Sequence, residues 1–203
     1  MLAGVILAGG RSSRMGTDKS LLRLPENHLS LLEHAKKRWA LVCSQHVFVS
    51  GVQHDQGIAD SIPNCGPLSG IHGVITQIES EHPDINELLV GAVDMPELGT
   101  EDLNYLLEMG RKNNSICYFE SCFLPLYLPL SVAVSHYLTT HLTPQYDNTL
   151  VQNKKSQYSL KKMLDSLQAI QIPALKKTRL DNINTPEQWQ EYCAAQPNFK
   201  ANK

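Results

Sequence analysis

Residues 4–22 read GVILAGGRSSRMGTDKSLL. An uncharged apolar run, 2–8, leads into Gly9 and Gly10. Arg11, Arg14 and Lys19 then follow within nine positions, with Gly16 and Asp18 among them. A short apolar run without charges suits a strand buried on both faces, as in a parallel sheet. In open α/β sheets ligands bind beyond the carboxyl ends of the strands, and the loop 9–19 sits at such an end. Its glycines let backbone N–H groups approach a bound group closely. Arginine grips phosphate with paired hydrogen bonds, and lysine acts as a point charge. Together they predict a polyphosphate cradle.

Two familiar phosphate loops fail on spacing. G-x-x-x-x-G-K-[ST] requires lysine directly after its second glycine, whereas Thr17 and Asp18 separate Gly16 from Lys19. G-x-G-x-x-G is absent. Kinase-like and dinucleotide-binding readings are therefore disfavoured.

The rest of the chain alternates strand-like and helix-like segments. Strands are expected at 2–8, 46–50, 87–93, 115–119, 123–128 and 169–172. Helices are expected at 29–43, 68–78, 100–109, 130–142, 159–167 and 186–195. Thr100 is the expected N-cap of the third helix, and Pro186 suits the first helical position of the last. The alternation argues for a three-layer α/β/α sandwich with a mainly parallel, Rossmann-like sheet. Residues 1–195 are expected to form one domain, 196–203 a frayed tail, and 139–156 a polar excursion from the fold.

Composition narrows the function. Across 203 residues the formal charge is only -2, so no global electrostatic draw on nucleic acid or an anionic membrane is expected. An anion must be held by a local cluster. Five cysteines without a C-x-x-C pair read as reduced thiols of a cytoplasmic protein. His136 and His141 lack the H-E-x-x-H pattern, which argues against zinc. No apolar run reaches the roughly 18 residues of a membrane span.

Asp94 follows an apolar strand and precedes Met95–Pro96. That places its carboxylate at the sheet edge from which the basic loop leaves. Mg²⁺ takes one or two carboxylates together with phosphate oxygens and waters. Asn184, in NINTP, is a candidate to complete the metal shell, with capping of its own loop as the alternative role. Gly66, Pro67 and Leu68, in GPLSG, form a turn that either lies against a nucleotide or merely starts a helix. Asp60 has the same two readings, as a nucleotide contact or a structural cap.

LAGGRSSRMGTDK, 7–19, resembles the N-terminal motif L-A-G-G-x-S-x-R-M-G-x-D-K of a nucleotidyltransferase family. ADSIPNCGPLSGIHGVI (59–75), VGAVDMPEL (90–98) and NINTPEQW (182–189) resemble, in order, later motifs of one branch, the molybdenum cofactor guanylyltransferases (MobA). The resemblance spans about 4–192 and is weakest over 113–158. It implies a Mg²⁺-dependent enzyme that joins GMP from GTP to molybdopterin and releases pyrophosphate. It places the backbone of Leu7, Ala8 and Gly9 at the guanine nucleotide, Lys19 at its phosphates, Asp60 beside the nucleotide and Asp94 on the metal. With Gly10 and Arg11 in the cradle, Lys19, Arg14 and Asp94 become the candidate catalytic groups. Protein partners in cofactor delivery are a further expectation.

The sequence departs from the branch twice. Ser50 stands where the branch often has asparagine at the nucleotide. ESCFLPLYL, 120–128, stands where it has an acidic turn leading to His-Pro on the acceptor side. A related transferase using CTP or a sugar phosphate remains an alternative on sequence, as does a weakened paralogue that binds nucleotide or cofactor.

Overall fold

The structure is a computed structural model that describes residues 1–9, 15–44, 46–63, 65–142 and 159–196. The strands are β1 (Leu2–Leu7), β2 (Val47–Ser50), β3 (Glu87–Ala92), β4 (Cys117–Phe119), β5 (Leu126–Pro129) and β6 (Ile170–Ile172). The helices are α1 (Leu31–Val42), α2 (Pro67–Glu81), α3 (Thr100–Asn113), α4 (Val132–Leu142), α5 (Leu160–Ser166) and α6 (Pro186–Ala195). The six strands form one sheet in the order β2-β1-β3-β5-β4-β6. β1 pairs in parallel with β2 and β3, and β4 with β6. β5 is antiparallel to both its neighbours, so it alone is reversed in a sheet that is otherwise parallel.

β1 and β3 have every residue but the first and last buried, as strands covered on both faces require. Ala3, Val5, Leu88 and Val90 pack against α2, α4 and α5 on one face. Ile6 and Leu89 pack with α1 and α3 on the other, where Trp189 and Tyr192 of α6 also join. The two apolar clusters form the core on either side of the sheet. A side chain such as Leu68, Ile71 or Leu89, fully withdrawn from water, contributes about 1.5–3 kcal/mol by its burial.

Local sequence explains the helix boundaries. Ser30 Oγ accepts from Glu33 N at 3.1 Å, while Glu33 Oε2 accepts from Ser30 N at 2.7 Å. This capping box starts α1 at Leu31 rather than at the expected residue 29. Thr185 and Gln188 make the same reciprocal pair before Pro186. The expectation that Thr100 caps α3 is corrected: the N-cap is Gly99, and Thr100 is the first helical residue. Asp102 displaces it, because its Oδ2 accepts from Gly99 N at 2.8 Å. α3 also outlasts its expected end at 109, closing at left-handed Asn114. α4 includes the start of the expected excursion, through Leu142. The remainder of that excursion, and the tail from 197, lie outside the described residues.

The register builds the site. Leu7 is aligned with Ser50 on one side and Ala92 on the other. Three parallel strands thus end in one row, and the chains beginning at residues 8, 51 and 93 leave from the same edge. Two hydrogen bonds extend the ladder past it: Ala8 N donates to Ser50 O at 2.9 Å, and Val93 N donates to Leu7 O at 3.1 Å.

Candidate functional site

Two clusters of polar side chains stand on this edge. In the first, the Lys19 ammonium donates to Asp94 Oδ2 at 3.1 Å and to Asn184 Oδ1 at 2.7 Å. These residues lie 75 and 165 positions from Lys19 along the chain. A single 3-10 turn, Lys19–Leu21, carries the lysine. Asp18 caps it: its Oδ1 accepts from Ser20 N at 3.0 Å and from Ser20 Oγ at 2.6 Å. Ser20 is wholly buried, so the end of the basic loop is pinned to the core and the lysine stem has a fixed origin. Asn184 reaches the same point because Ile183 N donates to Asp94 O at 2.9 Å. That bond zips the segment before α6 onto the end of β3.

The Lys19–Asp94 pair is mostly withdrawn from solvent, with side chains 16 and 14 % exposed. Its second carboxylate oxygen, Asp94 Oδ1, is buried and has no hydrogen-bond partner among the described residues. A buried carboxylate oxygen without a partner is costly. A hard cation would satisfy it. One carboxylate with a neighbouring amide oxygen fits the donor set that Mg²⁺ takes together with phosphate oxygens and waters. Among the described residues no three His, Cys, Asp or Glu side chains converge, so any site here is carboxylate-poor and leaves most positions to substrate and water. The ammonium has three donors. Two are used, and the third has no partner among the described residues.

The second cluster surrounds the end of β2. Ser50 Oγ donates to Asp60 Oδ1 at 3.2 Å. Ser50 is buried, and its hydroxyl is engaged by Asp60. Burial pushes the Asp60 carboxyl above its ordinary value, and the Ser50 hydrogen bond partly offsets this. α2 packs directly on the pair through Gly70, where a Cβ would run into Ser50 Oγ and stand 3.2 Å from Asp60 Oδ1. Gly66 is the N-cap of α2 at φ 79°, with Pro67 in the first turn. Among the described residues, chain neighbours apart, no heavy atom lies within 4 Å of the place a Gly66 Cβ would occupy, so this glycine answers to backbone conformation and not to crowding. The Leu68 side chain is fully buried in the core, which leaves only its backbone to face a ligand.

Leu7, Ala8 and Gly9 lie between the two clusters, at the end of β1. Gly9 approaches Gly51 and Asp60: its Cβ position is 3.5 Å from Gly51 Cα and 3.8 Å from Asp60 Oδ1. Gly10, Arg11 and Arg14 lie outside the described residues.

Sequence reading missed two pairs of side chains here. Gln53 Nε2 donates to Ala8 O at 3.0 Å, and His54 Nε2 lies 3.3 Å from the same oxygen. Both side chains therefore close over the end of β1. Nothing in their local pattern marks them. Arg38 and His34, on α1, engage the turn after Asp94. Burial drives the Arg38 guanidinium down to about 10. The signal for Arg38 was legible: it falls among Leu31, Leu32, Ala35 and Trp39 on the buried side of α1, where a cation is out of place.

Comparison with known proteins gives one consistent result. Residues 4–169 match the family described as the MobA-like NTP transferase domain. A molybdenum cofactor guanylyltransferase of Xanthomonas euvesicatoria pv. vesicatoria is 37% identical over 197 residues, covering 96% of this chain and 95% of the relative. A probable molybdenum cofactor guanylyltransferase of Rhodopirellula baltica is 30% identical, covering 91% and 88%. Among solved structures, molybdopterin-guanine dinucleotide biosynthesis protein A from Archaeoglobus fulgidus superposes with a TM-score of 0.68 at 20% identity, covering 95% of this chain and 96% of that one. A CMP:2-keto-3-deoxy-manno-octonic acid synthetase complexed with CTP gives 0.58 at 14% identity, covering 94% and 95%. The last two likenesses concern the fold.

Proposed function

The chain belongs to the MobA-like NTP transferase family, and from that premise we propose that it transfers GMP from GTP to molybdopterin, forming molybdopterin guanine dinucleotide and releasing pyrophosphate. The observation that carries this reading is the convergence of Lys19, Asp94 and Asn184 from three distant parts of the chain onto the edge where the basic loop begins. The relatives' names supply the base and the acceptor.

In this reading an oxygen of the acceptor's phosphate attacks the α-phosphorus of GTP. The bond from that phosphorus to the bridging oxygen of the β-phosphate breaks, and the electron pair leaves with pyrophosphate. Lys19, held by two acceptors, directs its remaining N–H at a phosphate oxygen, and its charge is worth most in this water-poor setting. Arg11 and Arg14 grip the outgoing phosphates, and the N–H groups of Gly9 and Gly10 let the triphosphate lie close to the backbone. Asp60, oriented by Ser50, contacts the nucleoside beside the backbone of residues 7–9, with the Gly66–Pro67–Leu68 turn against it. Asp94, with Asn184 beside it, would hold Mg²⁺. When bound, that ion neutralises negative charge on the phosphates. No helix among the described residues is long and apolar enough to cross a membrane. We assign the enzyme to the cytoplasm, where its product passes to the proteins that take up the cofactor.

The test is pyrophosphate release with GTP, Mg²⁺ and molybdopterin, beside thermal shifts with GTP, CTP, ATP and UTP. A nucleotide at 100-fold over its Kd adds about 2.7 kcal/mol of stability. GTP is expected to give the largest shift and to turn over. A larger shift with CTP would replace the guanylyl assignment with a cytidylyl one. GTP binding without pyrophosphate release would make the chain a binding protein.

A further inference from the structure

Arg38 is buried and forms no ion pair among the described residues. Its guanidinium lies instead beneath the turn that follows Asp94. Nη1 donates to Met95 O at 3.2 Å and to Leu98 O, and Nη2 donates to Pro96 O at 2.6 Å. His34, one helical turn earlier on α1, presents Nε2 to the same Pro96 O at 3.2 Å. A carbonyl only accepts, so that nitrogen carries the proton. From the other side, Ile183 N holds Asp94 O at 2.9 Å. Four of the five carbonyls from Asp94 to Leu98 are therefore fixed from outside the turn.

A buried guanidinium is a costly way to satisfy carbonyls. What it offers is geometry: a rigid planar fork with donors on two nitrogens, able to set three oxygens at once. A lysine offers its three N–H groups from a single nitrogen and lacks the planar fork. The carbonyls it fixes begin at the residue directly after Asp94, whose Oδ1 is buried and without a partner among the described residues. The same turn carries Ile183, and with it Asn184.

We propose that Arg38 is a positioning residue for the reaction. By clamping the Met95, Pro96 and Leu98 carbonyls it sets the place of the Asp94 carboxylate and of Asn184, and so the affinity of the site for its divalent cation. This rests on the reading of Asp94 as the metal-holding carboxylate. Arg38 touches neither metal nor substrate. It acts through the turn.

The experiment uses the full chain with Mn²⁺ as a paramagnetic probe, titrated in the presence of GTP and read by electron paramagnetic resonance. Wild type, Arg38→Lys, Arg38→Gln and Asp94→Asn are compared, and each variant's GTP affinity is measured in EDTA. Groups that orient a metal's ligands typically cost 10–100-fold in metal affinity when lost. Arg38→Lys and Arg38→Gln are expected to lose about tenfold or more in Mn²⁺ affinity, with GTP affinity in EDTA unchanged. If Asp94→Asn loses Mn²⁺ affinity while folded Arg38 variants keep it and merely melt earlier, Arg38 is structural and the proposal is overturned. If Asp94→Asn itself binds Mn²⁺ like wild type, the reading of the metal site falls first. Should neither Arg38 variant fold, His34→Ala removes one contact from Pro96 O alone. A several-fold loss of Mn²⁺ affinity there supports the clamp, and an unchanged affinity overturns it.

Discussion

Lys19 Nζ stands 3.1 Å from Asp94 Oδ2, while the other oxygen of that carboxylate is buried and bare among the described residues. One group therefore has two tasks. One oxygen accepts from the lysine, and the other is the one proposed to take a cation. The proposed phosphate contact and the proposed metal ligand are thus coupled before any substrate arrives.

The coupling makes Lys19→Ala more than the loss of a phosphate contact. Turnover is expected to fall by about 10²–10³-fold, as for other preorganised electrostatic groups. The mutant also leaves the Asp94 carboxylate buried without its cation, at a cost of about 1–3 kcal/mol. For a chain of this size about 1 kcal/mol moves Tm by roughly 2–4 °C. Mg²⁺ is expected to raise the mutant's Tm more than that of wild type, because it replaces the missing charge. Calorimetry with and without Mg²⁺ checks this, and equal increments would separate the lysine from the metal site.

Asp94→Asn keeps the shape of the side chain and removes its charge. Turnover with Mg²⁺ is expected to drop at least about 10²-fold. GTP affinity in EDTA is expected to hold or to rise, since a negative charge near the phosphates has gone. Normal turnover in this variant would place the metal on other residues.

Asp60 gives a dependence on pH with a definite sign. Its folded carboxyl titrates above the ordinary value of 3.8 because burial disfavours the charge. Between those two values the folded state binds more protons than the unfolded state, so stability falls as pH rises through the window. The deficit then persists at neutral pH. Asp60→Asn removes it. The variant is expected to melt higher than wild type at pH 7, with the advantage shrinking as pH drops toward 3.8 and below. It is also expected to bind GTP more weakly, a trade of function for stability common at such sites. Melting curves from pH 3 to pH 7 test the sign, and a variant less stable at pH 7 than at low pH relative to wild type would refute it.

Gly70→Ala tests the packing of α2 on the second cluster. Alanine is the better helix former by about 1 kcal/mol, yet its Cβ would run into Ser50 Oγ. Overpacking at about 1–3 kcal/mol is expected to win, because Ser50 lies at the end of a paired, buried strand and has little room to retreat. A net loss of stability, with weakened GTP binding, is the expected outcome of denaturant titration. A gain would show that the helix moves freely over the cluster.

The sequence alone determined which segments are strands and helices, because burial on both faces and helical spacing are local patterns. It also exposed the basic loop and Asp94, whose chemistry is legible in residue type and order. It misplaced the cap of α3, because Asp102 competes with Thr100 through a contact three residues away that spacing does not rank. Only the tertiary structure decided that Lys19, Asp94 and Asn184 share hydrogen bonds, that Ser50 is engaged by Asp60, and that Arg38 clamps the turn after Asp94. Each of these depends on the register of parallel strands and on which helix covers which face. Such relations are fixed by burying two apolar surfaces at once, and no stretch of chain carries them by itself.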